Sequence, residues 1–342
     1  MSTLTEQKMR QRLVRYDEMI PCQEAFLDRR IDRRAGNENF TIIGPGVAES
    51  ADQHVHISIP HGFNIGGARQ VPHAVNSQHS HETAEVFVVH SGRWKFQTGV
   101  EGEDAEIELG PGDTISVPTH VFRGFENVSD QQAYLFAVLG GDDPGRVTWA
   151  PDVFEKARET GLVLLEDGSL IDTNRGETIP DGVEPMPPTT STQAAEFERV
   201  SEAELRQCIQ PAASMQPADE SLLTRGTAVV EYPVIGAGSP NEGLPAGRMN
   251  WPHGFSLRRL EFPPGASVGL HSRSEVEVLF VHAGRLVVEW ADGRLQLGVG
   301  DTLSVPEELE HAFSNPGNEN ATVYVVRKGD RPGAPRFVDD IR

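Results

Sequence analysis

The feature that most constrains the fold of this 342-residue chain is an internal repeat. The tetrapeptide PHGF occurs at 60–63 and again at 252–255, an offset of 192 residues. The heptapeptides GDTISVP at 112–118 and GDTLSVP at 300–306 continue the repeat at an offset of 188, because the second copy loses four residues in a turn. Each copy runs for about 100 residues, which is enough for a domain with its own core. The sequence therefore predicts two domains of the same fold in tandem.

Glycine and proline interrupt both copies and indicate strands rather than helices. The chain contains 34 Gly and 24 Pro, and many short apolar runs end at one of them. Short strands joined by tight turns are typical of sandwiches and barrels of the jelly-roll type. We therefore predict an all-β protein of two tandem jelly-roll barrels, with short helices at the periphery.

Segments of different composition flank the two copies. Residues 5–19 carry helix formers at near-helical spacing, and residues 178–193 are rich in Pro and Thr. Ser201 stands three residues before Glu204, the pattern of a capping box that begins a short helix. These signals divide the chain into an N-terminal helical and extended arm at 1–39, a first barrel at 40–145, a helix-containing linker at 146–226, a second barrel at 227–330 and a tail at 331–342.

Acidic residues dominate the charge of the chain. Asp and Glu outnumber Lys and Arg by 51 to 30, which gives a formal net charge of -21. Such a charge repels phosphate backbones and anionic lipids, so we expect neither nucleic acid nor a membrane as a partner. No apolar run approaches the length needed to cross a bilayer, and we expect a cytoplasmic protein.

Two histidines and a glutamate in the first copy form a candidate metal site. His79 and His81 are two residues apart, so their side chains point to the same side of an extended segment, and Glu85 follows on the next strand. Two imidazoles and one carboxylate with open positions are the usual ligands of non-haem Fe(II). The alternative is that these are polar groups on a half-exposed strand.

The spacing of these residues resembles the first motif of the cupin superfamily, whose members are jelly-roll barrels, also called double-stranded β-helices. The motif G-x5-H-x-H-x3-E-x6-G is matched by His79, His81, Glu85 and Gly92, whereas His73 stands in place of the leading Gly. Because the motif occurs in two copies, the chain is similar to the two-domain members, the bicupins.

The second motif, G-x5-P-x-G-x2-H-x3-N, contains the departures of the first copy from the family. The first Gly, the Pro and the Asn match, but His120 takes the second Gly position and Arg123 takes the His position. In cupins this His is the fourth metal ligand, and a guanidinium has no lone pair with which to replace it. Whether His120 or His73 joins the site stays open.

By the same resemblance, the second copy carries a degenerate site. It keeps His271, Glu277 and His311, and Arg273 replaces the second His of the first motif. A guanidinium inside the ligand set repels a cation. We therefore expect Arg273 to pair with Glu277 and to supply the positive charge of a missing metal.

The resemblance implies one divalent transition metal per chain, held by His79, His81 and Glu85 in the first barrel. Fe(II) is favoured, with Mn, Ni and Zn as the other candidates. Arg123 is predicted to be a catalytic residue that faces the cavity and holds a substrate anion in bidentate fashion. The alternative is that Arg123 pairs with Glu85.

Bicupins of similar length include ring-cleaving and flavonol dioxygenases and oxalate decarboxylases. The resemblance therefore suggests a metal-dependent oxidoreductase, an O2-dependent dioxygenase that acts on a small anionic or phenolic substrate in the N-terminal barrel. It also suggests a homodimer or a higher homo-oligomer. Two alternatives stay open, namely a non-redox metal-dependent enzyme (isomerase, hydrolase or decarboxylase) and a non-catalytic cupin that binds a small molecule.

Overall fold

The computed structural model describes residues 4–31, 36–50 and 53–338. They form two compact units, one from Ile20 to Pro211 and the other from the described residues up to Met19 together with those from Ala212 onward. Both units consist mainly of antiparallel sheets, and the described helices are short. The predicted all-β fold with short peripheral helices is confirmed. Within the described ranges, no helix is both long and apolar enough to cross a bilayer.

The N-terminal arm is less helical than its sequence predicts. Helix α1 (Glu6–Arg10) is capped by the Thr5 side chain and is followed by the two-residue strand β1 (Leu13–Val14). The short helix predicted within 5–19 is therefore limited to Glu6–Arg10, because the strand that follows satisfies its backbone groups by pairing with a sheet edge. A second short helix, α2 (Leu27–Ile31), follows.

The first barrel contains eleven described strands before the linker region. They are β2 (Glu38–Ile43), β3 (Val55–Ile57), β4 (Phe63–Gln70), β5 (Val75–Ser80), β6 (Glu85–Ser91), β7 (Trp94–Thr98), β8 (Ala105–Leu109), β9 (Thr114–Val117), β10 (Arg123–Asn127), β11 (Ala133–Gly140) and β12 (Thr148–Trp149). Several aromatic rings meet in its core, where Phe87 packs against Phe96 and Phe125. Burial of these rings stabilises the barrel through the hydrophobic effect.

The segment that follows the first barrel folds with it. It contains helix α3 (Pro151–Glu159), strands β13 (Leu162–Leu164) and β14 (Leu170–Asp172), helices α4 (Ser191–Ala194) and α5 (Glu202–Gln207), and strand β15 (Ile209–Gln210). The capping box predicted at Ser201 is present, because the Ser201 side chain accepts the Glu204 N–H and the Glu204 carboxylate accepts the Ser201 N–H. The larger sheet of this unit has the order β15-β9-β6-β11-β4-β2-β3, and the smaller has the order β12-β5-β10-β7-β8.

The second barrel repeats this arrangement. Its strands are β16 (Val230–Ile235), β17 (Phe255–Phe262), β18 (Ser267–Ser272), β19 (Glu277–Ala283), β20 (Leu286–Trp290), β21 (Gly293–Leu297), β22 (Thr302–Val305), β23 (His311–Ser314), β24 (Ala321–Lys328) and β25 (Arg336–Phe337). One sheet has the order β1-β22-β19-β24-β17-β16 and the other has the order β21-β20-β23-β18-β25.

Equivalent strands of the two barrels pair in the same register. Arg123 on β10 lies opposite His79 on β5, and His311 on β23 lies opposite His271 on β18. The offsets of 192 and 188 in the sequence therefore relate equivalent places in the two barrels. Each residue of the first barrel can be compared with its counterpart in the second.

A short strand from another part of the chain completes one edge of each barrel. In the second barrel, β1 pairs with β22 and places Leu13 opposite Leu303. In the first barrel, β15 pairs with β9 and places Ile209 opposite Ile115. The capped helices α1 and α5 precede these two strands. Each arm, defined here as such a helix and its strand, therefore precedes one barrel in sequence and pairs with the other.

Candidate metal centre

The three metal ligands predicted in the first barrel converge in the structure. His79 lies on β5, His81 lies just beyond its end, and Glu85 begins β6. One nitrogen of each histidine and a carboxylate oxygen of Glu85 all lie within 4.8 Å of one another. All three side chains are buried. The alternative of polar groups on a half-exposed strand does not fit this burial.

The protonation of the two histidines suits metal binding. Burial, followed by the charge of Arg123, lowers the pKa of His79 to about 3 and holds the pKa of His81 well below its usual value. The Nδ1 atom of His79 lies 2.7 Å from the Ser77 carbonyl, which fixes the proton on Nδ1 and leaves Nε2 with a lone pair. Two neutral imidazoles beside one carboxylate are therefore a donor set that fits a divalent transition metal.

Arg123 pairs with Glu85 and does not line the cavity beside the ligands. Its Nη2 atom donates to Glu85 Oε2 at 2.6 Å, and its Nη1 atom donates to the His79 carbonyl at 3.4 Å. The side chain is only 2% exposed. The sequence left two alternatives for Arg123, binding of a substrate anion or pairing with Glu85. The structure contains the pair with Glu85. The other oxygen of Glu85 lies 3.6 Å from His81 Nε2.

A small cavity of about 80 Å³ lies against the three ligands. Its walls are mainly apolar, formed by side chains such as Phe26, Phe40, Ile65, Leu139 and Trp149. Among the described residues that line it, none is Lys or Arg. The cavity therefore offers a ligand an apolar surface and no positive side chain.

The candidate ligands of the second barrel also converge. His271, Glu277 and His311 are buried, and their donor atoms lie within 4.8 Å of one another. Arg273 Nε lies 3.3 Å from one oxygen of Glu277, and His311 Nε2 lies 3.2 Å from the other. Burial alone would raise the pKa of Glu277, but Arg273 and His311 lower it to about 2.

The two clusters contain the same four side chains in a different order. The first has His79, His81, Glu85 and Arg123, and the second has His271, Arg273, Glu277 and His311. Each guanidinium contacts the glutamate of its own cluster. His and Arg have therefore exchanged places between the second and fourth positions. The exchange can be seen in the sequence, but only the shared register of the strands shows that the exchanged residues occupy equivalent places.

The interior of the second barrel holds a buried network of charges that sequence reasoning missed. Its members are the guanidiniums of Arg258, Arg273 and Arg327 and the carboxylates of Glu231, Glu242, Glu275 and Glu277. Glu242 accepts from Arg258 at 2.8 and 3.0 Å and from Arg273 at 2.9 Å, and it lies 3.5 Å from Arg327. Burial opposes its ionisation, yet these three cations lower the pKa of Glu242 to about 2.

Two arginines of this network mark the main difference between the interiors. Arg258 and Arg327 are buried at the positions that Gly66 and Leu139 occupy in the first barrel, where both line the cavity. Replacement of Gly and Leu by Arg within matched strands was the available sequence signal. It could be interpreted only once these positions were known to point into the barrel.

The two further histidines lie outside the first cluster. His73 and His120 are exposed, and both have the positive φ angle that glycine adopts easily, 58° and 56°. They stand where the first and second motifs have Gly, and neither belongs to the buried cluster of candidate ligands. Glu308, in the equivalent Gly position of the second copy, has a φ of 60°. At these three positions the backbone therefore keeps the positive φ angle of the family's glycine, although another residue has replaced it.

The comparison with protein families agrees with the duplicated architecture. Two tandem jelly-roll barrels, each with a buried cluster of two histidines and a glutamate, define a class of double-barrel proteins with candidate metal sites. Residues 68–139 and 258–327 each match the family model described as the cupin domain. The chain belongs to the cupin superfamily in its two-domain form, as a bicupin.

Among solved structures, the chain is similar to variants of oxalate decarboxylase from Bacillus subtilis. One matches with a TM-score of 0.56 at 13% identity, over 97% of this chain and 80% of that chain. Another matches with a TM-score of 0.58 at 14% identity, over 99% of this chain and 81% of that chain. At these identities the likeness establishes the fold alone. The comparison with curated protein sequences gives no match.

Proposed function

We propose that this bicupin is a metal-dependent oxidoreductase whose first barrel uses O2 to act on a small phenolic substrate. His79, His81 and Glu85 hold one divalent transition metal, for which Fe(II) is the favoured candidate. The observation that carries the proposal is the convergence of two neutral histidines and one carboxylate on the wall of a small apolar cavity. A metal held by three protein ligands keeps positions for substrate and O2.

Arg123 has a positioning role in this proposal. Its bond to Glu85 Oε2 fixes the carboxylate and leaves Oε1, which faces His81, for the metal. A charged hydrogen bond of this kind holds the Glu85 carboxylate in one orientation. The binding of a substrate anion by Arg123, which the sequence predicted, would require the guanidinium to leave its partner.

The lining of the cavity favours a phenolic substrate over an anionic one. A carboxylate that entered would meet no Lys or Arg among the described lining residues, so only the metal ion would offset its lost hydration. The solved structures of similar fold carry the name oxalate decarboxylase, and oxalate would bring two negative charges into this space. A phenol brings an apolar ring that matches the walls.

The test measures metal content and O2 uptake together. Purified protein, loaded with Fe(II) under anaerobic conditions, should hold metal in the first barrel and consume O2 with a member of a panel of phenols and keto acids. His79→Ala should lose that metal and lower turnover by about 100-fold or more, because one of three ligands is gone. His73→Asn, at an exposed position that tolerates positive φ, is the matched control and should change neither quantity.

The same experiment separates the alternatives. Product formed equally well without O2 would identify a non-redox metal-dependent enzyme in place of a dioxygenase. Ligand binding without turnover would identify a binding protein. If the protein takes up no metal and His79→Ala changes nothing, the enzyme proposal is wrong.

A further inference from the structure

A single carboxyl group joins three segments of the cavity wall in the first barrel. The Glu49 side chain accepts the indole N–H of Trp149 at Oε1 and the backbone N–H of Leu27 at Oε2, both at 2.7 Å. The backbone N–H of Glu49 donates to the Ala25 carbonyl at 2.8 Å. Side chains from all three segments line the cavity, namely Ala25, Phe26, Val47, Ala48 and Trp149. Glu49 therefore holds together parts of the wall that are distant in sequence.

Trp149 stands between the cavity and a groove in the same unit. Its side chain is only 1% exposed, and the centroid of its ring lies 5.4 Å from that of His79. Val147 and Trp149 line both the cavity and the groove, which has a volume of about 380 Å³ and whose other walls include Phe154 and Phe197. A shift of the indole would therefore join the two spaces.

The cavity is too small for an aromatic substrate while this wall is in place. Its volume is about 80 Å³, whereas roughly 150 Å³ encloses benzene in an engineered protein. A ring that reaches the metal ligands must therefore displace part of the wall. Trp149 is the part with open space behind it, because the groove lies on its other side.

The second barrel lacks the hydrogen bond between indole and carboxyl group. Phe337 stands in the place of Trp149, because it pairs with β18 as Trp149 pairs with β5. Phe337 has no ring N–H, and it is 44% exposed. At the offset of 192, Asn241 stands in the place of Glu49. The bond therefore occurs in the barrel that has the cavity, and the barrel with the charge network has a half-exposed ring in its place.

We propose that Glu49 is a positioning residue that holds Trp149 against His79 and thereby controls access to the metal centre. This inference rests on the proposed function of that site, because it takes the cavity as the place where the substrate meets the metal. While both hydrogen bonds of the carboxyl group are formed, the wall is closed. When the bond to Trp149 breaks, the indole moves toward the groove and a substrate can reach the ligands.

The test measures how fast a reagent reaches His79, which lines the cavity. The full chain is treated with diethyl pyrocarbonate, which modifies neutral imidazoles, before any metal is loaded, and mass spectrometry gives the rate for each histidine. Glu49→Ala, which loses both bonds, should raise the rate at His79 at least about tenfold. Trp149→Phe, which copies the second barrel and loses one bond, should raise it about threefold or more. Glu159→Ala, at an exposed position of helix α3, is the matched control and should leave it unchanged.

Two other histidines separate an opening of the wall from a loss of the fold. His73 is exposed and should react at the same rate in every variant. His61 is buried in the same unit but does not line the cavity, so its rate should stay low. An equal rise at His61 and His79 in Glu49→Ala would mean general destabilisation and would overturn the inference. A rate at His79 that neither substitution changes would overturn it as well.

The outcomes are distinguishable from those of the proposed function, because the labelling needs neither metal nor O2. Faster labelling of His79 alone, in a protein that afterwards takes up no Fe(II) or consumes no O2, would support the control of access by Glu49 and contradict the oxidoreductase. Unchanged labelling in a protein that takes up Fe(II) and consumes O2 would leave the oxidoreductase standing and contradict the role of Glu49.

Discussion

The two barrels share a fold and a set of four side chains, yet their interiors are built differently. In the first, Gly66 and Leu139 leave a cavity beside the cluster, whereas in the second Arg258 and Arg327 enter the same region. Both barrels place two histidines, a glutamate and an arginine together. A ligand set is therefore insufficient evidence for a reaction site, because a substrate also needs room beside it.

The buried charges inside the second barrel stabilise one another as ion pairs. Three guanidiniums face four carboxylates there, and Glu242 touches all three guanidiniums. Ions removed from water cost several kcal/mol each, and only well-placed partners offset that cost. The loss of any one member leaves its partners buried and unpaired. In the cluster of the first barrel, the buried ion pair is the contact of Arg123 with Glu85.

The largest effect that would test this difference is expected from Glu242→Ala. It leaves Arg258, Arg273 and Arg327 without their common partner and should lower the free energy of unfolding of the second unit by about 3–5 kcal/mol. Hydrogen exchange of the amides in β17 and β24, measured at increasing urea concentration, reports the unfolding of the second unit separately from that of the first. Glu242→Gln, which keeps the shape and one acceptor oxygen, should lose less. A loss below about 1 kcal/mol for Glu242→Ala would mean that the network does not stabilise the barrel.

A smaller effect is expected from acid. The folded-state pKa of Glu242 is about 2 against an ordinary value of 4.5, so its contribution to stability is present above about pH 4.5 and is lost as the pH falls toward 2. The second unit should lose about 2–3 kcal/mol over this range on account of Glu242. Unfolding free energies measured at several pH values check this, and Glu242→Gln should flatten the curve. A curve of the same slope in that variant would contradict the assignment to Glu242.

The smallest effect concerns the exchange of His and Arg between the clusters. Arg273→His replaces a repelling cation with a neutral imidazole and should raise the metal affinity of the second barrel at least about tenfold, or roughly 1.4 kcal/mol. Competition with a chelator measures the change. The reciprocal variant, His81→Arg, should remove metal from the first barrel. If Arg273→His leaves the metal affinity unchanged, Arg273 does not exclude the ion.

Much of the fold and part of the site could be predicted because they depend on local patterns and on the repeat. Gly and Pro spacing indicated the strands, and the HxHxxxE spacing brought His79, His81 and Glu85 to one place. The partner of Arg123 could not be chosen, because a guanidinium on a long side chain reaches either a substrate or Glu85. That choice depends on the packing between strands that are distant in sequence.

The burial of Asn76 gave no signal in the sequence. A single Asn within a strand is as compatible with a surface position as with a buried one, and nothing near Asn76 marked it as facing a cavity. Its position depends on Asp28, which lies 48 positions earlier and accepts a hydrogen bond from its amide. The charge network of the second barrel was missed for a similar reason, because the sequence does not show that Arg258 and Glu242 meet inside the barrel.

The two barrels differ in when their edge strands are made during synthesis. The first barrel takes its edge strand β15 from the linker that follows it, so this unit can close before the strands of the second barrel are made. The second barrel needs β1, which is made before the first barrel, and β22, which is made after it. The apolar pair Leu13–Val14 must therefore wait for its partner until the first barrel and the linker have been made. Completion of the second barrel thus depends on segments that lie on either side of the first barrel in the chain.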